Sequence, residues 1–228
     1  MERRRLARDP ALPAYGDALA RRLGEELARI HAIRPPEPDL ESALPIPADH
    51  GAGAEVARMR HALDGATEAR PALEFILRWL DRHRPEVAPV ALVHGDFRTG
   101  NYLVADGRLS AILDWEFAHW GDPDEDIGWF TARCWRFGND DLEAGGIGAL
   151  DAFLAGYEAI AGRTVDRAAL RYWHIMALAK WATIAVLQGD RYRKGGEDSI
   201  EAALTGLMAP ELELEALDAI LARDLRKL

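Results

Sequence analysis

The fold is decided by one stretch of the chain, Leu92-Val93-His94-Gly95-Asp96-Phe97-Arg98-Thr99-Gly100-Asn101-Tyr102-Leu103-Val104. An apolar run stands at each end of this stretch, and each run predicts a short strand. The polar residues His94, Asp96 and Asn101 lie between the two runs. The stretch therefore predicts a short loop that carries polar side chains between two strands.

A third apolar run ends in another acidic residue, in the stretch Ala111-Ile112-Leu113-Asp114-Trp115-Glu116. The pair Asp106-Gly107 precedes this run and is a strong signal for a hairpin turn. We therefore expect three short strands near residues 90–93, 102–104 and 109–113, with the last two forming a hairpin.

On both sides of this β island the apolar residues recur at helical spacing. The periodicity predicts helices over residues 12–33, 54–83, 123–136, 140–161, 166–188, 197–208 and 211–226, with an irregular connection at 34–53. The sequence shows no clear domain boundary. These patterns predict a mostly α protein of the α+β class with a small central β island at roughly 91–113.

Composition excludes several classes of protein. The chain has 228 residues, 49% of them hydrophobic and 29% charged, which is ordinary for a globular protein and excludes a disordered chain. A net charge of −10 disfavours binding to nucleic acid. The single cysteine, Cys134, excludes an internal disulfide. The sequence contains no run of 18 apolar residues, so it predicts no membrane span. We expect a cytoplasmic protein that acts without a membrane.

The spacing of three polar residues indicates phosphoryl transfer. Asp96, Asn101 five residues later and Asp114 after the third strand supply the groups that this chemistry requires. One carboxylate, Asp96, accepts the proton of a substrate hydroxyl. The oxygens of Asn101 and Asp114 are hard ligands that suit Mg²⁺ beside the phosphates of a nucleotide such as ATP.

These motifs resemble the aminoglycoside phosphotransferase and choline kinase family of small-molecule kinases. Gly121-Asp122-Pro123-Asp124-Glu125-Asp126 resembles the next motif of that family. The resemblance implies the helical C-terminal lobe of a protein-kinase-like fold over 1–228. It also implies that Asp126 supports the catalytic loop through backbone amides and that His94 packs beneath the loop. Glu116 is either an outer neighbour of the metal or a solvated side chain.

The residues in these motifs are most similar to those of the phosphotransferase domain associated with acyl-CoA dehydrogenases. Leu113 to Glu116 and Arg133 to Gly138 carry this resemblance. It implies a hydroxyacyl-CoA or an aminoglycoside-like molecule as the acceptor. A rim for the acceptor is expected from basic residues, although they also fit a solvated face: Arg133, Arg136, Arg191 and Arg193.

The family's N-terminal lobe, which clamps the nucleotide, has no counterpart in the sequence. Residues 1–90 contain no Gly-rich loop and no strand pattern, and Lys180 is the first lysine. We therefore expect that lobe to be missing or supplied by a partner. The surface that would pack against it is expected to be apolar and to promote self-association.

Two other functions remain open at the level of sequence. A non-catalytic ligand-binding module would keep the acceptor half of the site, but it would not need Asp96, Asn101 and Asp114 together. A metal-dependent phosphoester hydrolase would use the same oxygens, but it normally needs more ligands than this loop offers. A Mg²⁺- and ATP-dependent kinase is the function that the residues favour.

Overall fold

The structure is a computed structural model that describes residues 6–48, 50–86, 88–196 and 199–224. Residues 197–198 and 225–226, which belong to the last two predicted helices, lie outside the described residues. The described chain is mostly helical with small antiparallel sheets, so the predicted fold class is confirmed.

Eight helices and four strands can be assigned in the described residues. The helices are α1 (Leu12–His31), α2 (Ala52–Leu63), α3 (Pro71–Arg82), α4 (Pro123–Thr131), α5 (Leu150–Ala161), α6 (Arg167–Arg193), α7 (Ile200–Gly206) and α8 (Ala209–Asp224). The strands are β1 (Ala91–Val93), β2 (Tyr102–Ala105), β3 (Arg108–Ile112) and β4 (His119–Gly121). Short 3₁₀ helices cover Trp115–Phe117 and Arg133–Trp135.

The chain forms two compact units. The first consists of Met1–Gly51 and Val87–His174, and the second of Ala52–Glu86 and Ile175–Leu228. All four strands and the stretch that decides the fold belong to the first unit. The sequence gives no sign of this division, because each unit is built from two separate segments.

The β island contains one strand more than the sequence predicts. The hairpin of β2 and β3 is present, with Tyr102 paired to Ile112. β1 pairs with β4 instead, through Leu92 and Trp120. β4 has only three residues, too few to give a periodic signal, and its partner lies far away in the sequence.

Three predicted helical stretches differ from the structure. The stretch 54–83 is divided into α2 and α3, with residues 64–70 between them. Two other predicted helices are too long. The predicted helix 123–136 ends at Thr131, because Ala132 is extended with ψ 144°. The predicted helix 140–161 is wrong over its first ten residues, and α5 begins at Leu150. Gly145 and Gly146 adopt positive φ angles of 59° and 74°, which no α-helix contains.

The core of the first unit places α1 and α5 with their backbones almost touching. A Cβ on Gly24 would lie 2.1 Å from the carbonyl oxygen of Phe153, so the helices approach closely only because glycine is present. The aromatic ring of Phe130 packs between those of Phe97 and Phe153, with centroid distances of 5.3 Å to Phe97 and 4.8 Å to Phe153. Phe97 belongs to the stretch that decides the fold, and its burial anchors that stretch in the core.

The second unit is held together by polar contacts as well as packing. Asp190 on α6 accepts hydrogen bonds from the backbone N–H and the hydroxyl of Thr67, at 2.7 and 2.9 Å. The guanidinium of Arg70 pairs with Glu213 on α8 at 2.8 Å. Among the described residues, none of the helices has the length and apolar character that crossing a membrane requires.

Candidate active site

The loop that joins β1 to β2 takes its shape from glycine. Gly95 has a φ of 77°, and a Cβ there would lie 2.4 Å from the carbonyl oxygen of Phe117. Gly100 has a φ of 119°. The loop from His94 to Asn101, which we name the polar loop, therefore cannot keep this conformation with a larger residue at Gly95.

A buried carboxylate on α4 holds the start of the polar loop. Asp126 is fully buried and accepts hydrogen bonds from the backbone N–H groups of His94, at 2.6 Å, and Gly95, at 2.9 Å. It also lies 3.1 Å from Nε2 of His31, whose Nδ1 lies 2.9 Å from the hydroxyl of Tyr157. Burial raises the pKa of Tyr157 to about 12, so its hydroxyl stays protonated and can donate to His31.

His94 connects the polar loop to the residue before Asp114. Its ring is fully buried, with Nε2 2.8 Å from the carbonyl oxygen of Leu113 and Nδ1 3.3 Å from the backbone nitrogen of Asp96. One tautomer, protonated on Nε2, satisfies both contacts. The backbone N–H of Leu113 donates in turn to the carbonyl oxygen of Asn101 at 2.8 Å. Both backbone groups of Leu113 are thus bonded to the polar loop.

The far side of the loop is anchored by a buried threonine. The hydroxyl of Thr99 donates to the carbonyl oxygen of Gly145 at 2.7 Å and lies 2.9 Å from the hydroxyl of Tyr102. A Cβ on Gly145 would lie 2.5 Å from the Thr99 oxygen. The glycine-containing segment before α5, which the sequence predicts to be helical, therefore supports the polar loop.

Asp96 and Asn101 are in direct contact. The amide nitrogen of Asn101 donates to the backbone oxygen of Asp96 at 2.9 Å and to its carboxylate at 2.7 Å. The two side chains are nearly buried, with 9% and 5% exposed. The amide nitrogen of Asn101 makes both contacts, and the amide oxygen takes part in neither of them.

Asp114 adopts a left-handed backbone conformation, with φ 68° and ψ 57°. This conformation costs a residue with a side chain roughly 1 kcal/mol, and such strain is concentrated at functional sites. Asp114 is exposed, and so is Glu116 in the 3₁₀ helix that follows. Trp115, between them, packs against the ring of His94 with centroids 4.7 Å apart.

The four arginines expected at an acceptor rim lie in different surroundings. Arg133 pairs with Asp140 at 2.8 Å. Arg136 is mostly buried and donates to the carbonyl oxygens of Thr131 and Asp140, which fixes the turn after α4. Arg191 and Arg193 belong to the second unit, at the end of α6. A role at an acceptor rim stays a prediction for all four.

Two residues that contact Asp96 are not predicted from the sequence as site residues. Trp129 on α4 donates its indole N–H to the Asp96 carboxylate at 2.7 Å. Arg98 donates from Nε to both carboxylate oxygens at 3.0 Å. The available signals were weak: Trp129 lies three residues after Asp126, on the same side of a helix, and Arg98 lies two residues after Asp96.

Comparison with known proteins decides the family. The model of the phosphotransferase enzyme family matches residues 2–173 of the chain. The chain belongs to the phosphotransferase enzyme family. The resemblance drawn from the motifs is therefore confirmed.

Proteins that are similar to the chain in sequence are much longer than the stretch that they share with it. The chain is 30% identical over 131 residues to mouse acyl-CoA dehydrogenase family member 10, which covers 53% of the chain and 12% of that protein. It is 31% identical over 137 residues to chicken acyl-CoA dehydrogenase family member 11, covering 56% of the chain and 17% of that protein. The chain thus spans only a small part of these relatives.

Solved structures show the same fold. A Ralstonia eutropha protein with a provisional assignment as an aminoglycoside phosphotransferase has a TM-score of 0.72 at 22% identity, covering 91% of this chain and 66% of its own. The GDP complex of aminoglycoside 2′-phosphotransferase-IIIa has a TM-score of 0.59 at 18% identity, covering 94% of this chain and 66% of its own. At these identities the likeness shows the fold alone, and it confirms the kinase-like fold class.

Proposed function

We propose that this protein is a small-molecule kinase that transfers a phosphoryl group from ATP to a hydroxyl group of its acceptor. One observation carries the proposal: Asp96 and Asn101 are bonded to each other in a loop that Asp126 and His94 hold. The residue before Asp114 is bonded to the same loop. Membership of the phosphotransferase enzyme family supports this function.

Asp96 is the catalytic residue of the proposal. Its carboxylate accepts the proton of the acceptor hydroxyl as the new oxygen–phosphorus bond forms. The bond between that phosphorus and the bridging oxygen of the nucleotide breaks, and this oxygen leaves with the electron pair. The contacts of Asp96 keep the carboxylate in one orientation before the acceptor arrives.

Asn101 and Asp114 are the proposed magnesium ligands. The amide nitrogen of Asn101 is directed at Asp96, which leaves the amide oxygen for a cation. Asp114 contributes an exposed carboxylate held at a constrained backbone position. Oxygen ligands of this kind fit Mg²⁺, which needs only one or two protein groups and keeps several waters. When bound, the ion neutralises charge on the nucleotide phosphates.

The remaining site residues have supporting roles in the proposal. His94 and Asp126 fix the backbone of the polar loop, and neither needs to touch a substrate. Glu116 is proposed to act on the metal from outside its direct ligands, since it follows Asp114 by two residues and is exposed. A basic rim for the acceptor, if it includes Arg133, requires that its pair with Asp140 opens.

The relatives and structural neighbours support two classes of acceptor. The relatives' names include acyl-CoA dehydrogenase, which supports a hydroxyacyl-CoA as the acceptor, while the structural neighbours support an aminoglycoside-like molecule. The nucleotide is supported by the GDP complex of a neighbour. We place the reaction in the cytoplasm, without nucleic acid, and propose that a further lobe or a partner supplies the nucleotide clamp.

The direct test is a transfer assay with radiolabelled ATP, Mg²⁺ and a panel of acceptors that includes hydroxyacyl-CoA thioesters, aminoglycosides and choline. The proposal expects label on one class of acceptor, and removal of Mg²⁺ by a chelator should stop the transfer. Release of inorganic phosphate without labelled acceptor would support a hydrolase. Binding of an acceptor without any transfer would support the binding module.

The metal ligands can be tested separately from turnover. Mn²⁺ can replace Mg²⁺ and broadens the nuclear magnetic resonance signals of nearby amides. The proposal expects broadening at residues 100–102 and 113–116, which Asp114→Asn should abolish. Broadening that is centred elsewhere, or that Asp114→Asn leaves unchanged, would remove this pair as the metal site.

A further inference from the structure

The Asp96 carboxylate accepts hydrogen bonds from three side chains. Its Oδ1 accepts from the indole N–H of Trp129 at 2.7 Å, and its Oδ2 accepts from Asn101 at 2.7 Å. Nε of Arg98 lies 3.0 Å from both oxygens. A general base needs only a fixed direction and access to the acceptor, so the number of donors requires a reason.

The contacts of Asp96 close into a ring. The guanidinium carbon of Arg98 lies 4.8 Å from the centre of the Trp135 ring, a favourable cation–π distance. The rings of Trp135 and Trp129 pack with their centroids 5.1 Å apart. The path therefore leads from Asp96 to Arg98, on to Trp135, on to Trp129 and back to Asp96. Each member restrains the next.

Trp129 and Arg98 differ in how firmly they are held. Trp129 is 3% exposed, and it lies on α4 three residues after Asp126, so one helix fixes both the loop backbone and the Asp96 carboxylate. The side chain of Arg98 is 16% exposed. The indole is a buried, rigid donor, whereas the guanidinium can move aside for an acceptor hydroxyl.

We propose that Trp129 is a positioning residue that fixes the direction of the Asp96 carboxylate, with Arg98 and Trp135 restraining it from the other side. The carboxylate of an aspartate turns easily about its last bond, because this torsion has no sharp minima. The Trp129 bond to Oδ1 removes that freedom, which leaves Oδ2 for the acceptor once Arg98 moves aside. The effect on catalysis rests on the proposed function, while the contact itself does not.

The kinetic test compares two tryptophan variants. Trp129→Phe keeps the ring packing and removes the indole donor. Trp120→Phe is the matched control, since Trp120 is 2% exposed and donates its indole N–H to the carbonyl oxygen of Leu44 at 2.9 Å. Trp129→Phe should lower kcat by roughly 10- to 100-fold, with KM for the acceptor unchanged, because misorientation of a reacting group costs rate more than binding. Trp120→Phe should keep the wild-type kcat.

Each variant removes one buried tryptophan hydrogen bond. If their unfolding midpoints are similar, loss of folding cannot explain a lower kcat in Trp129→Phe alone. If Trp129→Phe and Trp120→Phe have the same kcat, the positioning role is overturned.

A spectroscopic test does not depend on activity. The indole N–H signal of Trp129 in a ¹H–¹⁵N spectrum should lie downfield, because its proton is bonded to a charged oxygen. Asp96→Asn should shift this signal upfield and leave that of Trp120 in place. A Trp129 signal that Asp96→Asn does not move would overturn the proposal even in an active enzyme. If no acceptor is phosphorylated but the signal moves as expected, the proposed function fails and the positioning contact stands.

Discussion

At the scale of single residues, the site depends on positions where the backbone conformation or the hydrogen bonds of the side chain restrict which amino acid fits. Asp114 is the example, since its φ of 68° places it in a region that Asp and Asn tolerate better than other residues with side chains. Asp126 is the other extreme, because it is fully buried and its acceptor capacity is used by the polar loop and His31.

Asp114→Asn should separate stability from metal binding. Asn also adopts the left-handed conformation, so the free energy of unfolding should change by less than about 0.5 kcal/mol. Mg²⁺ affinity should fall, because the variant removes a charged ligand. Urea denaturation and calorimetry with Mg²⁺ measure the two quantities. Unchanged affinity, or an equal loss in Glu116→Gln, would refute the assignment of Asp114 as the main charged ligand.

Asp126→Asn should destabilise the first unit strongly. The new amide group would face an N–H donor of the polar loop, and one buried donor would be left unsatisfied, which costs about 2–4 kcal/mol. Denaturant unfolding measures the loss. Asp151→Asn is the control, since its ion pair with Arg167 is mostly exposed and should contribute less than about 1 kcal/mol. A similar small effect in both variants would show that Asp126 does not hold the loop.

Sequence reasoning predicted only part of the site at this scale. Asp96, Asn101 and Asp114 stand at a spacing that indicates phosphoryl transfer, and the family resemblance pointed to His94 and Asp126. Trp129 could not be identified in the same way, because a tryptophan on a helix is usually part of the core. Its hydrogen bond depends on a contact between residues 33 positions apart, and no local pattern records it.

At the scale of elements, α4 is the helix on which the site depends. It begins after Asp122, whose side chain accepts from the backbone N–H of Asp124 at 2.9 Å, and Pro123 occupies the first turn. Burial raises the pKa of Asp122 to about 6, despite its hydrogen bonds to Asp124 and Ala88. The carboxyl group that caps this helix therefore changes its protonation near pH 6.

The pH dependence has a definite sign. The pKa of Asp122 is raised above its unfolded value of 3.8, so the folded state binds more protons between about pH 4 and pH 6. This contribution to stability is complete below pH 4 and is lost as pH rises through 6, up to about 3 kcal/mol. Asp122→Asn keeps the cap and removes the titration, so the fall in stability between pH 4 and 7 should become smaller by that amount.

Unfolding midpoints at several pH values measure this effect. Asp166→Asn is the control, because Asp166 makes the corresponding bond to the N–H of Ala168 at 2.8 Å on the exposed surface. The change that Asp122→Asn makes in the pH profile should exceed the change that Asp166→Asn makes. If Asp122→Asn has the wild-type profile, burial does not govern the protonation of Asp122.

Elements were predicted well where the signal was local. The hairpin of β2 and β3 follows from Asp106-Gly107, and α1 follows from its apolar periodicity. The segment before α5 was included in a predicted helix on the basis of apolar periodicity. Its actual conformation depends on Thr99, which donates to Gly145 from another part of the chain. Long-range contacts of this kind also decide β4.

At the scale of the whole molecule, net charge and exposed apolar residues have opposite effects on solubility. The net charge is −10, which favours solubility. Near the polar loop, however, four large apolar side chains are exposed: Leu103 at 43%, Leu113 at 39%, Trp115 at 42% and Phe117 at 57%. Exposed apolar side chains that lie close together mark surfaces that associate.

The protein should therefore associate with itself as its concentration rises. Phe117→Lys should reduce the association, because it places a charge among these residues. Phe75→Lys is the matched control: Phe75 is 54% exposed and lies on α3 in the second unit. Sedimentation velocity over a range of concentrations measures the effect. A wild-type monomer at high concentration, or the same response in both variants, would contradict this expectation.

In the proposed function, Asp96 and Asp114 divide phosphoryl transfer between a base and a metal ligand. The most direct measurement determines turnover and MgATP affinity together for Asp96→Asn and Asp114→Asn, with the acceptor found in the transfer assay. Asp96→Asn should lose most of its turnover and keep nearly the wild-type MgATP affinity, because accepting a proton does not hold the nucleotide. Asp114→Asn should lose both. Equal loss of MgATP affinity in the two variants, or wild-type turnover in Asp96→Asn, would contradict this division.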